Sequence, residues 1–216
     1  MDVGDRKRVR YRHVFLVEPE CRGCSSWKTV AMHAGGAAWS GRYLYVADTA
    51  DGLRVFDLRR FLRSGNGFIL PQVAFYKERG TKLKFSYVSV ESGGDSLVTG
   101  EYKDGDDGAR IVHWPLVRDG KLAAGGGRVR STRAFATRGS LKNLQGVAVR
   151  GGRYYFTRSH ASKPGELIIG SPGERFYSYD DWAVGPEDLS VEDAGGPLWG
   201  LTEHPGEGRS VFSSNL

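Results

Sequence analysis

The sequence predicts an all-β protein, a β-propeller built of four-stranded antiparallel blades, and three observations support this prediction. Glycine accounts for 31 of the 216 residues, about twice its usual share of roughly 7%. It recurs in pairs such as Gly35-Gly36 and Gly151-Gly152, which are typical of tight turns. Aromatic residues make up 12% of the chain and methionines number two, a balance that favours strands over helical bundles. The third observation is an internal repeat.

The repeat is a hairpin of two apolar strands joined by a glycine turn. Ala37–Val46 matches Val147–Phe156 in this pattern, and Val88–Val98 matches Leu189–Trp199. A third strand follows each hairpin, and a more variable fourth strand often comes next. Four short strands in a unit of about 40 to 50 residues are typical of a propeller blade. The aligned first strands start near Ala37, Val88, Val147 and Leu189.

The two ends of the chain fall inside blades. His13–Val17 and Thr29–Met32 resemble the third and fourth strands of a blade, and Arg209–Phe212 resembles a third strand. The sequence thus predicts three complete and two partial blades in one domain over residues 1–216. The partial blades could join to close a ring of four, or the chain could be a fragment that lacks N-terminal blades of a larger ring. We favour the fragment, and we prefer a propeller to a β-sandwich because a sandwich gives no reason for the unit to recur.

The net charge of +6 raises the question of a polyanion partner, because basic clusters attract phosphates. Basic residues cluster only at the N-terminus, and no aromatic side chains that could stack on bases are interleaved in the required way. We therefore interpret the cluster as a charged edge strand that resists aggregation and do not expect nucleic-acid binding. No stretch approaches the roughly 20 apolar residues of a membrane span, and we expect a monomer. The cluster comprises Arg6, Lys7, Arg8, Arg10 and Arg12.

Two short motifs suggest chemistry but lack its context. Cys21 and Cys24 are the only cysteines, too few for a structural zinc site, so we interpret them as loop thiols, or as a local disulfide if the protein is exported. Gly94-Asp95-Ser96-Leu97 matches the nucleophile motif of a hydrolase family. Such a nucleophile should follow a strand and open a helix in an α/β fold, whereas this motif lies in the turn of the repeated hairpin. We interpret it as a coincidence.

The phase of the repeat indicates where a ligand would bind. In a propeller the innermost strand of each blade lines the central channel, and side chains two positions before each aligned start should point the same way. Glu187 and Gln145 are the candidate calcium ligands, because carboxylate and amide oxygens suit that ion; no cofactor is otherwise required. The simpler interpretation, which we favour, is hydrogen bonding at strand starts. The candidate residues at the channel mouth are His33, Ser86, Asn143, Gln145, Glu187 and Asp188.

Several segments resemble an uncharacterised family of secreted actinobacterial proteins. The resemblance covers most of the chain from about Tyr11 onwards and implies an exported, propeller-like protein with further sequence upstream. It carries no known activity or catalytic residues, and the cysteine pair departs from the family pattern. The segments are His33–Gly36, Tyr43–Thr49, Arg54–Asp57, Ser96–Tyr102, Val184–Leu189 and Leu198–Gly206.

Three functional hypotheses follow from the sequence. The first is an extracytoplasmic binding module that takes a small molecule, glycan or protein at the channel mouth. The second is a metal-assisted hydrolase or lactonase-like enzyme that uses Glu187, Gln145 and His33 as ligands or base. The third is polyanion binding through the basic N-terminus, which predicts an affinity that falls steeply with salt. Whether the protein is an enzyme stays open.

Overall fold

The structure is a computed structural model that describes residues 11–21, 23, 25–65, 67–105, 108–137, 141–192, 195–204 and 208–215. Within these ranges all the regular secondary structure is β-strand, so the predicted all-β class is confirmed. The part of the chain that is described contains no helix long and apolar enough to cross a membrane.

The strands form four main sheets that follow one another along the chain. The first contains β1 (Val14–Pro19), β2 (Trp27–Thr29), β3 (Ala34–Ser40), β4 (Tyr43–Asp48), β5 (Gly52–Asp57), β6 (Leu62–Ser64) and β7 (Gly67–Lys77). Next come β8 (Tyr87–Val90), β9 (Ser96–Gly100), β10 (Arg110–Pro115), the separate hairpin of β11 (Ala124–Gly125) and β12 (Arg128–Val129), and β13 (Arg133–Ala136). The third sheet contains β14 (Leu144–Arg150), β15 (Arg153–His160), β16 (Lys163–Gly170) and β17 (Tyr177–Val184). The fourth contains β18 (Pro186–Val191), β19 (Leu198–Thr202) and β20 (Val211–Ser214).

The repeated unit is an antiparallel meander. Strands pair in the orders β3-β4-β5-β7, β8-β9-β10-β13 and β14-β15-β16-β17, and the last sheet has the order β18-β19-β20. The predicted four-stranded antiparallel sheets are therefore present three times, and the fourth sheet has three described strands. Each of the four first strands contains one of the predicted starts.

The N-terminal strands make one pairing that was not predicted. β1 and β2 pair antiparallel, as a third and fourth strand would, but β1 also pairs in parallel with the first half of β7, from Val14 opposite Phe68 to Val17 opposite Pro71. This half of β7 extends past its pairing with β5, whose ladder reaches only Gln72, and so offers an open edge. Burial of apolar residues of β1 near Leu70 stabilises the pairing. Among the described residues, β1 and β2 make no ladder with the fourth sheet.

Apolar residues fill the spaces between consecutive sheets. Tyr45 and Val55 of the first sheet share a core cluster with Val88 and Leu97 of the second. A second cluster joins the second and third sheets, and a third cluster joins the third and fourth. Consecutive sheets therefore pack face to face and bury the side chains between them.

The four first strands meet at one axis. β3 contacts β8, β8 contacts β14, β14 contacts β18, and β18 in turn contacts β3. Glycines allow this close approach: a Cβ atom on Gly35 would lie 2.4 Å from the carbonyl oxygen of Ser86, and one on Gly146 would lie 2.5 Å from that of Glu187. The glycine-rich strand starts are therefore a steric requirement of the axis.

The remaining sequence features lie near the N-terminus. Cys21 is disulfide-bonded, whereas Cys24 lies outside the described residues. Of the basic cluster only Arg12 is described, with its guanidinium carbon 5.2 Å from the centroid of the Phe68 ring. Polyanion binding by this cluster thus stays a prediction. The other members, Arg6, Lys7, Arg8 and Arg10, lie outside the described residues.

Candidate functional site

A cavity of about 560 Å³ opens where the four first strands begin. Each sheet supplies the residue two positions before its aligned start: Gly35, Ser86, Gln145 and Glu187. His33 also lines the cavity. The structure thus brings His33, Ser86, Gln145 and Glu187 together, and we call this space the mouth cavity.

Irregular pairing directs these residues into the cavity. In β3 the register shifts between Ala34 and Gly36, and in β14 it shifts between Leu144 and Gly146. In β18 the shift falls between Pro186 and Leu189. The residues inside the shifts include Gly35, Gln145 and Glu187. Of the four residues that lie two positions before an aligned start, these three are therefore at bulges. Bulges commonly re-aim a side chain in this way.

The sequence reasoning missed a second set of lining residues. Thr49 follows β4, Tyr102 comes shortly after β9, and Glu203 follows β19. In an antiparallel hairpin the end of the second strand lies beside the start of the first. That rule, applied to the repeat, could have found these positions. Leu201, Thr202 and Arg209 complete the wall.

Two carboxyl groups meet in the mouth cavity. The partly buried Glu187 is hydrogen-bonded to the carboxyl group of Glu203. Burial, followed by the negative charge of Glu203, raises the pKa of Glu187 to about 7. Near neutral pH Glu187 therefore carries a proton for part of the time. In that state it can both donate and accept hydrogen bonds.

Hydrogen bonds hold the rim of the mouth cavity in place. The Nδ1 atom of His33 lies 3.0 Å from the Thr49 hydroxyl, and the backbone N–H of Thr49 donates to the His33 carbonyl oxygen at 3.2 Å. The Arg209 guanidinium donates through Nε to the Glu203 carbonyl oxygen at 3.1 Å. Tyr102 is 43% exposed, so its ring is available to a ligand.

Two of the predicted site residues do not line the mouth cavity. Asp188 is buried at the axis, where its carboxylate accepts hydrogen bonds from the backbone N–H groups of Ala37, Val88 and Leu189. Burial raises the pKa of Asp188 well above its ordinary value. Asn143 has a left-handed backbone, with φ 57°, and donates its N–H to the Lys103 carbonyl oxygen at 2.6 Å. Asp188 thus connects strands of three sheets instead of facing the opening.

The described residues contain no group of three or more His, Cys, Asp and Glu side chains placed to hold a metal ion. Calcium at Glu187 and Gln145 stays a prediction.

The serine of the hydrolase-like motif belongs to a buried network. The Ser96 hydroxyl donates to Glu91 Oε2 at 2.6 Å, and the Nδ1 atom of His113 lies 3.0 Å from the same oxygen and 3.3 Å from Ser96 Oγ. His113 Nε2 lies 2.6 Å from the Tyr154 hydroxyl. Serine and carboxylate thus share one ring nitrogen, whereas a catalytic triad places them on opposite nitrogens. His113 is 1% exposed, and the network connects the second and third sheets.

This network predicts that stability falls in mild acid. Burial, followed by the positive charge of Arg133, lowers the pKa of His113. An unfolded histidine takes up its proton near pH 6.5, whereas the folded one resists it. The contribution of neutral His113 to the free energy of unfolding is therefore complete above about pH 6.5 and is lost as the pH falls below that value. Urea unfolding at about pH 8 and about pH 5.5 should show the loss.

The matched variants isolate His113. Glu187, with its raised pKa, works in the opposite direction over this pH range, so the variants are compared with the wild type at each pH. His113→Gln should be less stable at the higher pH and should lose less on acidification. His13→Gln, which alters an exposed histidine, should follow the wild-type curve. Equal acid sensitivity in all three proteins would rule out His113 as the cause.

No protein-family model matches the chain, and no curated protein matches it in sequence. Solved structures that resemble it include the computationally designed Ika4 protein, at 12% identity and a TM-score of 0.40, covering 96% of this chain and 99% of that one. Kuenenia stuttgartiensis hydrazine synthase matches at 13% identity and a TM-score of 0.42, covering 82% and 63%. The WD40 repeats of RRP9 match at 13% identity and a TM-score of 0.44, covering 86% and 52%. The chain therefore spans less than two thirds of the length of the last two, and no residue role is transferred from any of them.

Proposed function

We propose that the chain is a β-propeller, or a piece of one, whose mouth cavity binds a small polyhydroxylated ligand, a mono- or oligosaccharide, outside the cytoplasm. The observation that carries this proposal is the convergence of all four sheets on one cavity, with Ser86, Gln145 and Glu187 among its walls.

The chemistry of the mouth cavity suits a sugar. Its volume of about 560 Å³ is within the range of about 300 to 1,000 Å³ that small-molecule sites occupy. Ser86 and Gln145 can each donate and accept hydrogen bonds, as can the pair of Glu187 and Glu203. Sugar hydroxyls do the same, and the exposed ring of Tyr102 can cover the apolar face of a pyranose. A mixed set of this kind favours a neutral polyol over a strongly charged ligand.

Two observations support a location outside the cytoplasm. Cys21 is disulfide-bonded, and disulfides persist mainly in oxidising compartments. The six segments between His33 and Gly206 named in the sequence analysis also resemble a secreted actinobacterial family. We propose membership of that family together with the sugar-binding function.

Calorimetric titration of the full chain with a panel of neutral mono- and oligosaccharides tests this function. At least one sugar should bind. The double variant Tyr102→Ala with Gln145→Ala should weaken that binding about tenfold, because it removes the ring contact of Tyr102 and a Gln145 hydrogen bond that contributes about 0.5–1.5 kcal/mol. The control is Tyr179→Ala, which removes an exposed tyrosine of β17. Failure of every sugar to bind, or an equal loss in the control, would contradict the proposal.

A hydrolase is the second candidate, and the raised pKa of Glu187, about 7, favours it. A carboxyl group protonated near neutral pH can act as a general acid, with Glu203 as its charged neighbour. In the metal-assisted form, Glu187, Gln145 and His33 would act as ligands or base. Lactone and ester hydrolysis should then be lost in Glu187→Gln, and calcium should raise the melting temperature of the wild type only. Absence of turnover and of any calcium effect would remove this candidate.

A further inference from the structure

A second and larger cavity lies between the first and second sheets. It has a volume of about 1000 Å³ and shares no lining residue with the mouth cavity. We call it the side groove; it is bounded by the end of β7, the connection from Glu78 to Phe85, Trp114 of β10 and the hairpin of β11 and β12. The sequence pattern does not indicate this cavity, because its walls come from segments far apart in the chain.

The floor of the side groove is aromatic. Phe85 and Trp114 stack with ring centroids 6.0 Å apart and planes 23° apart. Phe85 is buried, and Trp114 is held by its indole N–H, which donates to the Thr99 hydroxyl at 2.8 Å. Tyr76 of β7 packs against the same core cluster as Phe85 and Trp114 and extends the apolar surface. This floor can accept an apolar side chain from a partner.

The rim of the side groove is basic on both sides. On one side, Val129 packs against the core, so the flanking Arg128 and Arg130 point away from it by strand alternation. On the other side stand Lys77 and Arg79. The three arginines are exposed and form no salt bridge within the described ranges of the chain.

Among the described residues, one carboxylate lines the side groove, that of Glu78, and it already accepts hydrogen bonds from the chain. Glu78 Oε1 accepts hydrogen bonds from both the backbone N–H and the hydroxyl of Thr81, each at 2.6 Å. These neutral donors leave the negative charge of Glu78 in place, but one negative charge balances only one of the four cations of the rim. The groove carries an excess of positive charge around an apolar floor.

Hydrogen bonds fix the segments that form both sides of the side groove. The Tyr45 hydroxyl donates to the Gly120 carbonyl oxygen at 2.8 Å and accepts the backbone N–H of Leu122 at 3.0 Å, which anchors the approach to the hairpin. Arg110 donates to the carbonyl oxygens of Thr81 and Lys82 at 2.7 and 2.9 Å. The groove thus exists before a ligand arrives, which lowers the entropy lost on binding.

We propose that the side groove binds an acidic peptide segment of a partner protein. An aromatic or aliphatic side chain of that segment contacts the floor of Phe85 and Trp114, and carboxylates on either side of it pair with Arg79, Arg128 and Arg130. Charge complementarity argues for an acidic ligand. A peptide suits the groove better than a nucleic acid, because the cations face each other across an apolar floor instead of following a phosphate backbone, and because Phe85 and Trp114 already stack on each other.

Fluorescence anisotropy with a labelled peptide, Glu-Asp-Glu-Trp-Glu-Asp-Glu, and the full chain tests this proposal. The peptide should bind saturably, more weakly as salt rises, and the same peptide with alanine for tryptophan or lysine for each acid should bind at least about tenfold more weakly. The double variant Arg128→Glu with Arg130→Glu should lower the affinity at least about tenfold, because charge reversal replaces attraction with repulsion. An unchanged melting temperature shows that the variant is folded.

The control variant is Arg118→Glu with Lys121→Glu. This variant changes the net charge by the same amount. Both residues lie between β10 and β11, outside the lining of the side groove, so the affinity should stay within about twofold of the wild type. An equal loss in the control, no peptide binding, or tighter binding of single-stranded oligonucleotide than of peptide would each overturn the proposal. Sugar binding at the mouth cavity is measured separately and does not depend on this result.

Discussion

Asp188→Ala is expected to lower the free energy of unfolding by at least about 3 kcal/mol. The Asp188 carboxylate is buried and accepts backbone N–H groups of three first strands, at 3.1 Å from both Ala37 and Leu189, with Val88 as the third donor. Alanine would leave three buried donors without partners, and each unpaired group costs about 1–3 kcal/mol. The loss falls at the axis, where it affects the contact of three sheets at once.

Urea unfolding followed by circular dichroism measures this effect. Asp180→Ala, which alters an exposed residue of β17, is the matched control and should change the free energy by less than about 0.5 kcal/mol. Asp188→Asn keeps one acceptor oxygen and a similar side-chain volume, so it should be less destabilising than alanine. If Asp188→Ala is no worse than the control, the carboxylate does not hold the first strands together.

Gly146→Ala is the second large effect, with an expected loss of about 2–3 kcal/mol of unfolding free energy. The added Cβ would lie 2.5 Å from the Glu187 carbonyl oxygen, 2.8 Å from Asp188 Cα and 2.9 Å from Leu189 N. All three atoms are backbone, so no side chain can rotate away. The axis would have to open between the third and fourth sheets to relieve the clash.

Gly125→Ala provides the control, because a Cβ there meets nothing within 4 Å. Its unfolding free energy should stay within about 0.5 kcal/mol of the wild type. Thermal and urea unfolding of the two variants in parallel measure the difference. Similar stability of the two would mean that the first strands do not approach as closely as the structure has them.

The repeat was predictable because its signals are local. Alternating apolar residues and glycine turns lie within each hairpin, so the sequence alone indicates both the antiparallel meander and the strand starts. The position of β1 was not predictable in this way. Its partner is the first half of β7, from Phe68 to Pro71, and no pattern within Val14–Pro19 distinguishes that parallel pairing from a third strand of another blade.

The mouth cavity was predicted in part, and its geometry differs from the reasoning that found it. Strand alternation pointed to Gln145 and Glu187, which do line the cavity, but both lie at bulges where regular alternation is interrupted. Glu203 was missed, because its approach to Glu187 depends on the pairing of β18 with β19. The pKa of Glu187, about 7, follows from that approach and from burial.

The sequence by itself determined the all-β class, the repeated meander and the strand starts, since alternation and turn chemistry act between near neighbours in the chain. Only the tertiary structure decided that Asp188 would be buried at the axis, that burial would raise the pKa of Glu187, and that Arg79 and Arg128 would line one cavity with Phe85 and Trp114. These features arise from packing between sheets, where the free energy depends on contacts between residues that the local pattern does not relate.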